Sequence, residues 1–390
     1  MKKLLLGAAL LAVTLVSASA SARGASQVNL ALVPLPKSAL GAAGRPLPLA
    51  RDSGVTSNAT QASNASGDVT AKKLQHLGRV SGYMLDYGNE FGDAAGIQQI
   101  QTGIEQYRTA AEARKGLDFW RRQELDNGFV KKLGIDLTVK KLGLSGIPGP
   151  HWVYAGTFAI KSLPPVHGVD AELQDGRYLL DVTVSAGSTA AAAQLVPRVA
   201  RAFRQRLQLA LAGHLHGKPV ALPQPLKPGP PPHGPKPAAL VLKKTDLGSA
   251  TIVHKGYTST KGALDPNALS VYDLTMAPAG SLALMSQQLI VGDNALEVQY
   301  FGAIAMSGVI AEAGKAGKAT PLDLSSIGDN AQGLIFQASA NGRKAYEAVV
   351  VLSHGAYLEF LLAASTSALT SSSVQSVAQT AAKRLDAGFH

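Results

Sequence analysis

Two stretches of this chain end in nearly the same way. Residues 177–207 run from Arg177 and Tyr178 through Leu179, Leu180, Asp181, Val182, Thr183 and Val184 into an Ala-rich segment that closes on Phe203, Arg206 and Leu207. Residues 356–385 run from Ala356 and Tyr357 through Leu358, Glu359, Phe360, Leu361 and Leu362 into a segment that closes on Ala381, Arg384 and Leu385. A strand followed by a helix has an apolar face to bury, so two copies call for two cores. Comparing the copies position by position also separates what the fold requires from what only one copy carries.

A boundary lies between them. Residues 213–237 hold nine of the 21 prolines, a density that excludes helix and central strand and predicts an extended spacer. The expected domains are therefore 23–212 and 238–390, with 213–237 as linker. Residues 51–71, rich in Ser, Asn, Thr, Gly and Ala, have no counterpart in the second copy and read as a disordered loop within the first domain. Alternating and aromatic-rich runs predict strands near 79–87, 97–107, 152–161, 166–174 and 177–185, with helices near 109–126 and 190–211. The second copy repeats the order, with strands near 268–276, 282–291, 333–340, 345–352 and 356–364. Asp175 and Gly176 suit a tight hairpin turn, and Gly355 stands in the matching place. Each copy opens alike, Leu35 to Gly41 against Leu242 to Gly248, which predicts a short capped helical turn closed by glycine. The fold class is α+β: two tandem domains, each an antiparallel sheet flanked by helices.

The N-terminus joins Met1, Lys2 and Lys3 to an apolar run from Leu4 to Val16 and then to Ala18, Ala20 and Ala22 at alternate positions. This is the pattern of an export signal, residues 1–22, too short to span a bilayer. No Cys follows it, so the expectation is a soluble secreted or periplasmic protein rather than a lipoprotein. The absence of any Cys means that stability comes from burial, not from disulfides. Charge is uneven. Residues 23–212 carry 22 Lys/Arg against 15 Asp/Glu, and residues 238–390 carry 10 against 11. Basicity, and any partner it selects, belongs to the first copy and the linker.

Signatures of zinc peptidases, lipase-type hydrolases, dinucleotide enzymes and penicillin-binding enzymes are absent. Gly314 to Thr320 imitates a phosphate loop but puts Ala319 where the magnesium-binding hydroxyl belongs, so it reads as a flexible loop. His214, His216 and His233 sit on a Pro-rich tether that offers no rigid ligand set. His254 and His354 lack a Cys or carboxylate at ligand spacing. Trp120 falls at helical spacing to core positions and reads as buried. Trp152 and Tyr154 alternate onto one strand face, where they form a possible pocket, with Leu334 and Phe336 in the equivalent region of the second copy. Aligning Leu207 with Leu385 pairs the apolar face of the two terminal helices. The same register sets Arg198, Arg201 and Arg204 against Ser376, Gln379 and Ala382. The fold does not demand that arginine stripe, so it reads as a contact surface for an anionic partner. Arg114, Lys115, Arg121, Arg122, Lys131, Lys132, Lys140 and Lys141 form a second basic set, diluted by acids in a way that argues against nucleic acid.

The Leu-Gly openings, aromatic strands, Gly328–Ala331 stretch and Ala-rich terminal helix resemble exported bacterial proteins of the PsbP-like fold, among them actinobacterial lipoproteins and extracytoplasmic sensor domains. The resemblance implies an α/β/α sandwich in each copy and a binding or scaffolding role. The expected function is a non-catalytic exported binding or scaffold protein whose basic first domain contacts an anionic cell-envelope polymer, a membrane surface or an acidic protein, with no cofactor and no metal. The alternatives are an enzyme whose active residues come from scattered loops, and a sensor or assembly subunit acting through protein contacts.

Overall fold

The computed structural model describes residues 28–389 except 66–68, 90, 92–95, 126–135, 148, 161–162, 225, 261–267, 280–283, 317–318, 328–330 and 341–342. The export signal, Lys131 and Lys132, and most of the Gly328–Ala331 stretch lie outside the described residues. The chain divides into two compact units, one ending at Gln224 and the other running Pro225–His390.

The first unit contains β1 (Gly54–Thr56), α1 (Asn58–Asn64), α2 (Ala71–His76), β2 (Arg79–Gly88), β3 (Ile97–Tyr107), α3 (Ala110–Leu125), β4 (Asp136–Lys141), β5 (His151–Ala159), β6 (Val166–Asp175), β7 (Tyr178–Ala186) and α4 (Thr189–Leu211). The second contains α5 (Pro237–Leu240), β8 (Ala250–Thr258), β9 (Ser270–Pro278), β10 (Leu284–Val291), α6 (Ala295–Ala316), β11 (Ala319–Pro321), β12 (Gln332–Ala340), β13 (Arg343–His354), β14 (Tyr357–Ser365) and α7 (Ser371–Ala387). The first sheet has the order β1-β2-β3-β7-β6-β5-β4 and the second β8-β9-β10-β14-β13-β12-β11. Every pairing is antiparallel, and the two orders are the same when each is numbered from its own first strand. Each unit is thus an antiparallel sheet flanked by helices, an α+β domain.

Period-two alternation sends Tyr178, Leu180, Val182 and Val184 of β7 to one face. Helix α4 covers that face with Leu195, Val196, Val199, Ala200, Phe203 and Leu207 at spacings of three and four. The opposite face packs Leu179 and Tyr107 against Leu117, Phe119 and Trp120 of α3, so Trp120 is a core residue. In the second domain α7 covers one face with Val374, Ala378, Ala381 and Leu385, and α6 covers the other through Val298 and Met306. The opening turns are 3-10 helices in both domains, Lys37–Leu40 and Lys244–Leu247, closed by Gly41 at φ 67° and Gly248 at φ 77°. The backbone N–H of Leu35 donates to Thr102 Oγ1 at 3.2 Å, and that of Leu242 donates to Gln287 Oε1 at 2.8 Å. Strand register makes Thr102 and Gln287 equivalent, because Thr102 faces Val182 and Gln287 faces Leu361 four positions past the matching tyrosines.

Two expectations need correction. Residues 51–71 are not a structureless loop: β1 pairs with β2, and Ser57 caps α1 by accepting from the Thr60 N–H. The ordering agent lies outside the segment. Buried Arg79 donates to the Thr56 carbonyl, Thr56 Oγ1 and Asn58 Oδ1, while its Nε pairs with Glu105 at 2.7 Å. Tyr107 and the Trp120 indole N–H satisfy the second Glu105 oxygen at 2.8 and 3.0 Å. The Pro-rich segment, expected as an extended spacer, is held at each end. Its described residues before Pro237 form no helix or strand, but Leu215 and Val220 pack on the first core. The carbonyls of Gly229 and Pro235 accept from Ser270 and Tyr357 in the second domain. Gly314 to Ala316 likewise close α6 and Ala319 opens β11, so that stretch is not wholly loop.

Candidate functional site

The arginine stripe on α4 divides when each side chain is followed to its partner. Arg204 forms an ion pair with Asp175 at 2.8 Å, and Gln208 donates to the same carboxylate, tying the β6–β7 turn to the helix. Arg198 donates to the Leu40 carbonyl at 3.1 Å and so satisfies the end of the opening turn. Arg206 serves the same region through the Leu32 and Val33 carbonyls. Arg201 alone of the three is exposed without a hydrogen bond or ion pair among the described residues. The stripe as a whole is therefore not a free surface. Asp175 and His354 occupy equivalent turns, and His354 meets Asp386 at 2.8 Å, one helical turn from where Arg204 would fall. His354 thus has a carboxylate companion that its sequence neighbours do not reveal.

Strand register also corrects the equivalence of Trp152 and Tyr154. Tyr154 faces Asp170 as Leu334 faces Val349, and Trp152 faces Glu172 as Gln332 faces Val351. Bulk is kept at the place of Tyr154, but the second domain has Gln332 where the first has Trp152. The fold does not require this indole.

Trp152 gathers what the sequence left scattered. The Arg121 guanidinium, from α3, lies 5.6 Å from its ring centroid, and Lys141 Nζ, from the edge strand β4, lies 5.2 Å from it. The Tyr154 ring is 6.4 Å away. Arg121 also approaches Asp118 at 3.8 Å. The indole N–H is buried and finds no acceptor among the described residues. The β4–β5 loop brings in the other helix. Gly146 and Gly149 have φ of 80° and 82°, and a Cβ on Gly146 would stand 2.7 Å from Arg201 Nη1. Exposed Arg201 from one layer, exposed Arg121 from the other and exposed Lys140 and Lys141 between them thus border one edge of the first domain.

Acidic groups are sorted the opposite way. On the α3 face of the first sheet, Asp86 accepts from Gln99 at 2.8 Å, Asp181 from Gln101 at 3.1 Å and Asp170 from Thr183 at 2.5 Å. Ser185 completes the ladder by donating to Gln99 at 3.2 Å. Register sets Asp170, Glu172, Asp181 and Thr183 against Val349, Val351, Phe360 and Leu362, which lie beneath α6 in the second domain. On this face the first domain keeps Asp86, Asp170, Glu172 and Asp181 buried or half-buried, whereas Asp52 and Asp136 elsewhere are exposed. No helix among the described residues is long and apolar enough to cross a membrane. No group of three or more His, Asp or Glu among them is placed to hold a metal ion.

No protein-family model matches the chain, and no curated protein matches it. Among solved structures, the extracellular domain of PknH from Mycobacterium tuberculosis overlaps 47% of this chain and 100% of its own, at 14% identity and a TM-score of 0.31. The di-domain ARO/CYC BexL from the BE-7585A biosynthetic pathway overlaps 64% of this chain and 76% of its own, at 8% identity and a TM-score of 0.12. Neither overlap is close enough to carry a fold or a function across.

Proposed function

We propose that the chain is an exported, non-catalytic binding protein that holds an anionic partner of the cell envelope on the basic edge of its first domain. One observation carries this reading: two cations from different layers converge on an indole that the second domain, with the same strand order, replaces by glutamine. An ammonium and a guanidinium held near a ring keep their outer faces for an anion, and a Trp in such a corner is a rigid anchor. The site is built from Arg121, Lys141 and Trp152, with Arg201 and Lys140 as flanking charges. Arg198 and Arg204 support it by fixing the helix rather than by contact.

Edge lysines also keep sheets from pairing edge to edge, and Lys140 and Lys141 on the six-residue β4 serve that purpose too. The second domain guards its corresponding edge differently, with the three-residue β11 ending in Pro321. Edge protection therefore accounts for the lysines but not for Trp152 or Arg121.

The test is sedimentation of the full chain with phosphatidylglycerol vesicles, phosphatidylcholine vesicles and a soluble polyphosphate-containing wall polymer at rising salt. Binding to the anionic surfaces alone is expected. It should fall as the Debye length shrinks from about 10 Å at 0.1 M to about 3 Å at 1 M. Equal binding to phosphatidylcholine, or binding indifferent to salt, contradicts the reading.

A further inference from the structure

Glu359 lies on β14 between Tyr357 and Leu361, with no exposed surface. Strand register places it where the first domain has Leu180, itself fully buried, so the fold accepts a hydrocarbon at this position. Its Oε1 accepts from Gln287 Nε2 at 2.5 Å, and its Oε2 is buried with no partner. The rest of the layer offers little else. Leu289 of β10 and Leu352 of β13 face it directly, and β9 beyond carries Leu274 and Tyr272. Helix α7 contributes Val374, Ala378, Ala381 and Leu385 to the same core, and the segment before β8 contributes Leu240, Val241 and Leu242. At the rim of this layer Arg384 meets Asp246 at 2.5 Å and His354 meets Asp386 at 2.8 Å. An ionised carboxylate with one amide donor and no cation is far costlier to bury than the neutral acid.

We infer that the second domain takes up one proton at Glu359 when it folds, which makes it a proton-stabilised unit that loosens as the medium turns from acidic to mildly alkaline. Burial pushes the carboxyl up to about 8 from an ordinary 4.5, with the Gln287 amide pulling the other way. Below about pH 4.5 both the folded and the unfolded chain hold the proton, and this group's contribution is fully present. Between about 4.5 and 8 only the folded domain holds it, so the unfolding constant rises about tenfold per pH unit. Above about 8 the contribution is lost. The domain of the same strand order with Leu180 has no such dependence from this position. Glu347, on the opposite sheet face, is also raised by burial, and Asp246 is lowered chiefly by its hydrogen bond to Arg384, so the informative quantity is a difference between parent and variant.

Both tryptophans, Trp120 and Trp152, belong to the first domain, so their emission reports that domain and circular dichroism reports both. The experiment is denaturant unfolding of the full chain, of Glu359→Gln and of Glu359→Leu between pH 5 and 8.5, together with the carbon-13 titration of the Glu359 carboxyl in the folded parent. The parent's non-tryptophan transition should weaken about tenfold in equilibrium constant per pH unit relative to both variants. The tryptophan transition should be common to all three. The inference is overturned if the variants keep the parent's slope, or if the carboxyl titrates below about pH 6. The carboxyl titration decides the matter even where a variant fails to fold.

Discussion

At the scale of single residues, the two β-turns before the last strands show how far charge is free to change without changing the fold. Asp175 holds Arg204 and Gln208, whereas His354 holds Asp386, so one turn-to-helix tie is built with opposite polarity in the two domains. The arginine stripe was visible in the sequence as an asymmetry, but Asp175 lies 29 positions from Arg204, and no local pattern announces that pairing. Losing Arg204 removes a partly buried ion pair. Arg204→Gln should therefore lower stability by about 1 kcal/mol, whereas Arg201→Gln should leave it within about 0.5 kcal/mol of the parent. Urea unfolding followed by tryptophan emission measures both. Equal effects would mean that the Asp175 tie contributes nothing. Trp152 was legible as a strand residue facing one side. Its cations were not, because Arg121 and Lys141 reach it from a helix and an edge strand that only the tertiary fold brings together.

At the scale of elements, the inner strands were legible and the edge strands were not, whether of three residues, as β1 and β11, or of six and nine, as β4 and β8. The runs that became β2, β3, β5, β6 and β7 carry their own alternation, since each has a buried face to fill. By contrast β1 and β11, with three residues each, exist because a neighbour pairs with them. Helix α1 depends on the Arg79 guanidinium, and its polar sequence alone looks disordered. The Pro-rich segment was read as an extended spacer, but proline density reports backbone conformation and not docking. Leu215 and Val220 belong to the first core, and Gly229 and Pro235 are held by the second domain. The exposed stretch between these attachments is short and includes Leu222, which is 36% exposed. Thermolysin should first cut the folded chain near Leu222, before any cut in residues 51–65, and should leave two fragments that retain sheet and helix by circular dichroism. An earlier cut inside 51–65 would show that the Arg79 network does not hold β1 and α1.

At the scale of the whole molecule, one strand order carries two different surfaces. The second domain fills both sheet faces largely with apolar side chains and takes in the buried acids Glu297 and Glu359. The first gives the α3 face to a hydrogen-bonded polar ladder and its edge to cations gathered at Trp152. Composition already placed the basicity in the first copy, and the structure adds where on that copy it is exposed. On this reading, location on the first domain, not net charge, decides binding. This is tested most directly by two full-chain variants with the same loss of charge, Arg121→Gln/Lys141→Gln/Arg201→Gln in the first domain and Lys244→Gln/Lys255→Gln/Lys344→Gln in the second. Their affinities for phosphatidylglycerol vesicles are measured at one low ionic strength. Each Lys or Arg near an anionic surface contributes about 1 kcal/mol, so the first variant should bind about a hundredfold more weakly than the parent while the second stays close to it. Equal losses in the two variants would contradict the account and reduce the binding to net charge alone.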